Sequence, residues 1–169
     1  MAQADGAGIA IRRLRAGDAE IWRDLRIECL TRHPAAFGAS AEAEGARSLD
    51  LWRAGLERDC VLGAFDGSAL AGTAAYRREV GEKHAHVAHI GAVYVRPAYR
   101  GRRIARRLIE TIIAGAHGQA EHLHLQVAAF NSNARHLYES LGFREAGRTP
   151  GVLRHDGGDY DEILMLRRV

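Results

Sequence analysis

The chain has 169 residues, 47% of them hydrophobic and 27% charged, which is one soluble globular domain's worth and excludes a largely disordered chain. Its net charge of +3, from 24 basic and 21 acidic residues, is too small to point to nucleic acid. Two cysteines, Cys29 and Cys60, exclude a disulfide scaffold and a cysteine-rich zinc module.

Residues 1–15 lack the apolar core of a signal peptide, and nowhere do the ~18 apolar residues of a membrane span run together. A soluble cytoplasmic protein with two free thiols is therefore expected, with no membrane partner. Ile9 to Leu14 alternates and is β-branched, which predicts a first strand. Asp18 stands where it would cap a helix carrying Ile21, Trp22, Leu25, Ile27 and Leu30, which Pro34 stops. Ala35 to Arg47 reads as a mobile loop or a short helix. Ser48 caps a further helix with Leu51, Trp52 and Leu56. Cys60 to Phe65 and Ala69 to Glu79 make a hairpin across Asp66-Gly67.

Ala85 to Val95 is mostly apolar and predicts a central strand, ended by Pro97. Arg103 to Ala116 places Ile104, Leu108, Ile112 and Ile113 on one helical face, and Gly118 ends it. His122 to Ala129 is a strand, and Asn131 to Leu141 is a helix closed by Gly142. Arg144 to Arg154 and Tyr160 to Arg168 pair across the Asp156-Gly-Gly turn. The fold class is mixed α/β: one domain over residues 1–169, with about seven mostly antiparallel strands and about four helices. The central β-α-β-α stretch predicts a parallel pair with a ligand crevice at the strands' carboxyl ends.

Six arginines fall between Arg96 and Arg107, where a strand turns directly into a helix. The unpaired N–H groups and partial positive charge of a helix start favour an anion, and Gly101 allows a tight turn. From spacing alone, a pyrophosphate site and a solvated basic helix start stand about even.

The stretch Arg100-Gly101-Arg102-Arg103-Ile104-Ala105 resembles the Arg/Gln-x-x-Gly-x-Gly/Ala signature of the GNAT family of N-acetyltransferases. A second family motif is matched by Asn131, Ala134, Leu137, Tyr138, Gly142 and Phe143. Arg13, Leu14, Asp18, Leu25, Arg26, then Pro34-x-x-Phe37-Gly38, and finally Tyr160-x-Asp-Glu-x-x-Met165 extend the likeness over nearly the whole chain. The departure is Arg103, which stands where the signature has its central glycine. Backbone donation survives that change if φ there is negative.

The resemblance implies direct transfer of an acetyl group from acetyl-CoA, as co-substrate, to the amine of a small molecule or a protein amino terminus. The strand segment Val93, Tyr94 and Val95 would hold the pantetheine arm, with a backbone N–H facing the carbonyl oxygen. Arg100, Gly101, Arg102, Arg103, Ile104 and Ala105 would hold the pyrophosphate, and Asn131 would touch the cofactor arm. Tyr138 matches the family's acid beside the sulfur. His89 lies near the family's base position and, counted by strand parity, faces the same side as Gly91, Val93 and Val95. Glu79 and the Glu42/Glu44 pair compete with it as base. Phe37, Glu42 and Tyr76 are candidates for the acceptor pocket, and the acids Glu42, Glu44, Asp159 and Asp161 suit a cationic amine.

His84-x-His86 and His122-x-His124 have metal-pair spacing, and Asp156 to Glu162 looks superficially like a calcium loop. Neither has the further ligands a site needs, so no metal is expected. A homodimer is among the forms common in such families. A different class of reading, a catalytically silent CoA-binding sensor or partner module, stays open beside the enzyme.

Overall fold

A computed structural model describes Ala4–Asp5 and Gly8–Val169. The leader reading of residues 1–15 therefore falls partly outside the described residues. Among them, the strands are β1 (Ala4–Asp5), β2 (Ile9–Arg13), β3 (Cys60–Asp66), β4 (Ala69–Arg78), β5 (Val87–Val95), β6 (His122–Ala128), β7 (Arg144–His155) and β8 (Gly158–Arg168). They form one sheet in the order β1-β2-β3-β4-β5-β6-β8-β7, antiparallel except for the β5–β6 pair. The α-helices are α1 (Ala19–Arg32), α2 (Ala41–Gly45), α3 (Leu49–Arg58), α4 (Ile104–Ala116) and α5 (Ser132–Ser140). The elements beyond the expected count are the two-residue β1 and the short α2, which Ser40 caps by accepting from the Ala43 N–H at 3.1 Å. No helix among the described residues is long and apolar enough to cross a membrane.

Two apolar clusters hold the sheet from its two faces. On one face, α4 buries Ile104, Leu108, Ile109, Ile112, Ile113 and Ala116 against Ala88, Ile90, Leu123 and Leu125, and α5 adds Tyr138. Each fully buried Leu or Ile there contributes about 1.5–3 kcal/mol. On the other face, α1 and α3 bring Trp22, Leu25, Cys29, Trp52 and Leu56 onto Val61, Phe65, Leu70 and Tyr94. The Trp22 and Trp52 rings meet edge to face at 6.0 Å. Burial pushes the Cys29 thiol up to about 11, so it is inert as a nucleophile, and both cysteines are free.

Asp18 does not cap α1 through its side chain. Its carboxylate accepts from both Arg12 guanidinium nitrogens at 2.8 Å and from the Arg15 N–H at 2.8 Å, one turn earlier. The Arg12 guanidinium holds that carboxyl below the usual carboxylate range.

The strand that matters most is irregular. Between the pairs Thr73↔Tyr94 and Ala75↔Gly91, β5 carries one more residue than β4, a β-bulge. Ala92 takes a φ of 50°, and its carbonyl accepts from the buried Thr73 hydroxyl at 3.1 Å. The bulge reverses the alternation. Ala88 and Ile90 belong to the α4-side cluster, and beyond the bulge so do Val93 and Val95, while Tyr94 turns to the α1 side. Gly72 lets β4 approach there: a Cβ on it would lie 2.7 Å from the Tyr94 carbonyl oxygen. Thr73→Val should lower unfolding free energy by about 1–2 kcal/mol, the cost of a half-buried carbonyl left without its donor. Urea titration checks it.

Candidate active site

β5 and β6 are in register only at Val87↔His122, Ala88↔Leu123 and His89↔His124. From Ile90 onward β5 has no partner on β6, whose other edge stays paired with β8 from His122 to Ala128. The two parallel strands therefore diverge into a slot bordered by the bulged half of β5. At its open end lies a cleft of about 290 Å³ lined by Val95, Tyr99, Arg100, Gly101, Arg103, Ile104, Ala105, Arg106 and Leu137.

The cleft sits on the start of α4. The first helical bond runs from the Arg107 N–H to the Arg103 carbonyl at 3.1 Å, so the N–H groups of Ile104, Ala105 and Arg106 precede it. Gly101 has a φ of 80°, in the region that favours glycine. Arg103 also lies in the left-handed region, at φ 57° and ψ 20°. The condition of a negative φ at Arg103 is thus not met. The turn keeps a glycine-like backbone, and the exposed Arg103 side chain accommodates it.

The arginine run is less of a free basic patch than its composition promises. Arg96 Nε donates to Glu28 at 2.8 Å and its Nη1 to the Leu70 carbonyl at 2.9 Å. Arg102 pairs with Asp66 at 3.1 Å, and Arg107 reaches the Ile9 carbonyl at 3.2 Å. Arg106 bonds Glu110 at 3.3 Å and Ser140 at 2.6 Å. Arg100 donates to the Val95 carbonyl at 3.2 Å and to His33 Nε2 at 3.2 Å, clamping its own loop. Arg100, Arg103 and Arg106 remain on the cleft wall.

Tyr94 turns its side chain away from the slot: the hydroxyl donates to Glu28 at 3.0 Å, and burial, followed by Glu28, pushes it up to about 12. Asn131 uses its side-chain oxygen to cap α5, accepting from the Ala134 N–H at 3.2 Å, which commits one of that oxygen's two lone pairs.

Tyr138 lies beside cleft-lining Leu137 on α5 and meets Phe143 edge to face at 5.9 Å. Burial raises its pKa, so the phenol keeps its proton throughout the neutral range.

His89 precedes the bulge. It therefore faces opposite to Ile90, Val93 and Val95, and not with the two valines as unbroken parity implied. Its neighbours on that face are His124, ring to ring at 5.1 Å, and Gln126, whose amide oxygen lies 3.0 Å from His89 Nε2. Burial lowers the His89 pKa, leaving a neutral ring near pH 7. Glu79 is engaged elsewhere, 3.1 Å from His124 Nε2.

The acceptor candidates do not all assemble. Phe37 sits on the α1 side under the Arg26 guanidinium, 5.2 Å from its ring centre. Glu42 is exposed on α2, and Glu44 pairs with Arg47 at 3.1 Å. Tyr76 registers opposite Ile90 and packs on the α4-side cluster, across the sheet from Phe37 and His89. Asp159 and Asp161 are each paired, with Arg154 and Arg148, both at 2.7 Å, which cancels their pull on a cation. Among the described residues no group of three or more His, Cys, Asp or Glu could hold a metal ion. The sequence reading missed Gln126 and the Glu28–Tyr94–Arg96 network. The available signal for Gln126 was that it continues the polar face of His122 and His124 along β6.

A diverging parallel pair with the open N–H groups of a helix start at its mouth can receive an extended ligand that carries an anion. Residues 20–143 match the acetyltransferase (GNAT) family, and the chain belongs to it. It is similar to the N-alpha-acetyltransferase RimI of Mycobacterium tuberculosis, 32% identical over 142 residues, covering 80% of this chain and 88% of that protein. An uncharacterized protein of Mycobacterium leprae is 33% identical over 110 residues; the match covers 65% of this chain and 29% of that longer protein. A putative acetyltransferase from Salmonella typhimurium, solved with its cofactor acetyl-CoA, superposes with a TM-score of 0.79 at 20% identity, covering 96% and 94% of the two chains.

Arg103→Val should destabilise the chain by about 1–2 kcal/mol, because a β-branched residue resists the positive φ of this turn. Arg103→Gly should stay within about 1 kcal/mol of the parent. Thermal unfolding of the three proteins separates these outcomes.

Proposed function

We propose that the chain transfers an acetyl group from acetyl-CoA directly to the α-amino group of a protein or peptide. The observation that supports this reading is the slot itself, with His89 on one face of β5 and Tyr138 packed in the cluster on the other. An extended thioester with a diphosphate fits this geometry. The backbone edge of Val93 and Val95 would hold its amide-bearing arm, and the α4 start with Arg100, Arg103 and Arg106 its pyrophosphate. Acetyl-CoA supplies the activated acyl group. The protein's part is to orient the amine, remove its proton and return one to sulfur.

Neutral His89 takes a proton as the amine nitrogen bonds to the acyl carbon. Tyr138 gives its proton to the departing sulfur as the C–S bond breaks. The two groups act from opposite sides, which suits a nucleophile that arrives on one face and a leaving group that departs on the other. The relative named as an N-alpha-acetyltransferase supports an amino terminus over a small-molecule amine. A silent CoA-binding module would need the cleft alone; this chain also retains Tyr138 and His89.

Acetyl-CoA at about 100 times its Kd should add roughly 2.7 kcal/mol of stability, a rise of about 5–11 °C in Tm. No shift in correctly folded protein would remove the cofactor reading. Tyr138→Phe should keep that shift and lose about 100-fold or more in kcat. Since the folded His89 pKa lies below 6.5, kcat/KM for acetyl-CoA and a short peptide should fall as pH drops through that lower value. His89→Gln should abolish this acid limb.

A further inference from the structure

Gln126 stands near the middle of β6, on the same sheet face as His124 and with its side chain exposed. Its amide oxygen lies 3.0 Å from Nε2 of His89. That oxygen carries no proton. A neutral imidazole has one N–H, so the nitrogen facing Gln126 is the donor and Nδ1 keeps the lone pair.

The Nδ1 edge of the ring lies over Gly91. A Cβ at that position would come 3.0 Å from His89 Cε1 and 3.5 Å from Nδ1. The neighbour on this edge therefore has no side chain. Gly91 is also the residue before Ala92, on the part of β5 that β6 no longer pairs. The lone pair thus lies on the side where the slot opens.

We infer that Gln126 is a positioning residue. It fixes His89 as the Nε2–H tautomer, so that Nδ1 is the atom that takes the amine's proton, and Gly91 leaves that atom open to approach. This rests on His89 being the base.

The charges around the ring are consistent with the role. Arg77 faces it from β4, Glu79 from just after that strand, and His124 from β6. Glu79 is turned to His124, so the group holding His89 is an uncharged amide. Burial lowers the ring's proton affinity more than the Gln126 amide raises it, and a carboxylate at the same place would raise it further through its charge. A base held this way stays unprotonated near neutral pH.

The test uses ligand-free protein with ¹⁵N-labelled histidine, with the His89 signals assigned through His89→Gln. Two-bond ¹H–¹⁵N correlations should show Nε2 protonated and Nδ1 bare. Gln126→Met should abolish that single-tautomer pattern and lower kcat by about tenfold to a hundredfold, with KM for acetyl-CoA nearly unchanged. Gln126→Glu should move the acid limb of kcat/KM upward by about one pH unit. An Nδ1–H tautomer in the parent protein overturns the proposal. So does an acid limb that stays in place in both Gln126 variants. If His89→Gln itself keeps the acid limb and full kcat, the base reading falls and takes the positioning role with it. If His89→Gln loses both and the Gln126 variants change neither tautomer nor limb, the base stands and Gln126 alone is excluded.

Discussion

The Thr73 hydroxyl and the Ala92 carbonyl meet at 3.1 Å inside the sheet, and the site is arranged around that contact. A half-buried carbonyl at a bulge needs a donor other than the ladder, and leaving it unpaired costs about 1–2 kcal/mol. The hydroxyl supplies the missing donor, so the extra residue of β5 can persist. That residue bends β5 away from β6 and exposes a row of backbone groups where a regular parallel sheet would have sealed them. It also sends the residues before and after it to opposite faces. Valines on the α4 side and a histidine on the α1 side can then occupy one strand.

Helix α1 is anchored to the same strand just past the bulge. Glu28 accepts from Tyr94 with one oxygen and from Arg96 with the other, and Arg96 also bonds the Leu70 carbonyl. Three segments far apart in sequence are thus joined through one carboxylate. Arg100 then closes its loop on Val95 and His33. Much of the local positive charge is spent on positioning the turn, and the backbone of α4 is left to face an anion.

The helices and strands were largely legible because their periodicities are clean. The α4 face of Leu108, Ile112 and Ile113 and the Leu123, Leu125, Val127 alternation of β6 are where the pattern placed them. The β5–β6 pair was legible from element order. What stayed hidden depends on one residue's φ. Gly91 inside a strand is a sign of a bulge, but nothing in Ala92 says that the extra residue falls there, since alanine is not a residue that requires positive φ. Parity counted through it gave the wrong face for His89. Tyr76 was misplaced for a related reason: its flanking segment was known, but its face depends on register against Ile90. Pairing partners such as Arg154 with Asp159 are equally invisible in a linear reading, because charges that look free along a chain are often neutralised across a hairpin turn.

Lys83 is the chain's single lysine, exposed on a 3-10 turn before β5. The other cationic side chains are guanidinium groups, which stay charged at any physiological pH and are poor acyl acceptors. A protein that handles an activated thioester is exposed to stray acylation of its own surface. Here the positive charge is carried in a form that resists it, and damage to side-chain amines is confined to one position distant in sequence from the cleft. The surface keeps its charge, and with it its ion pairs, for as long as the reagent is present.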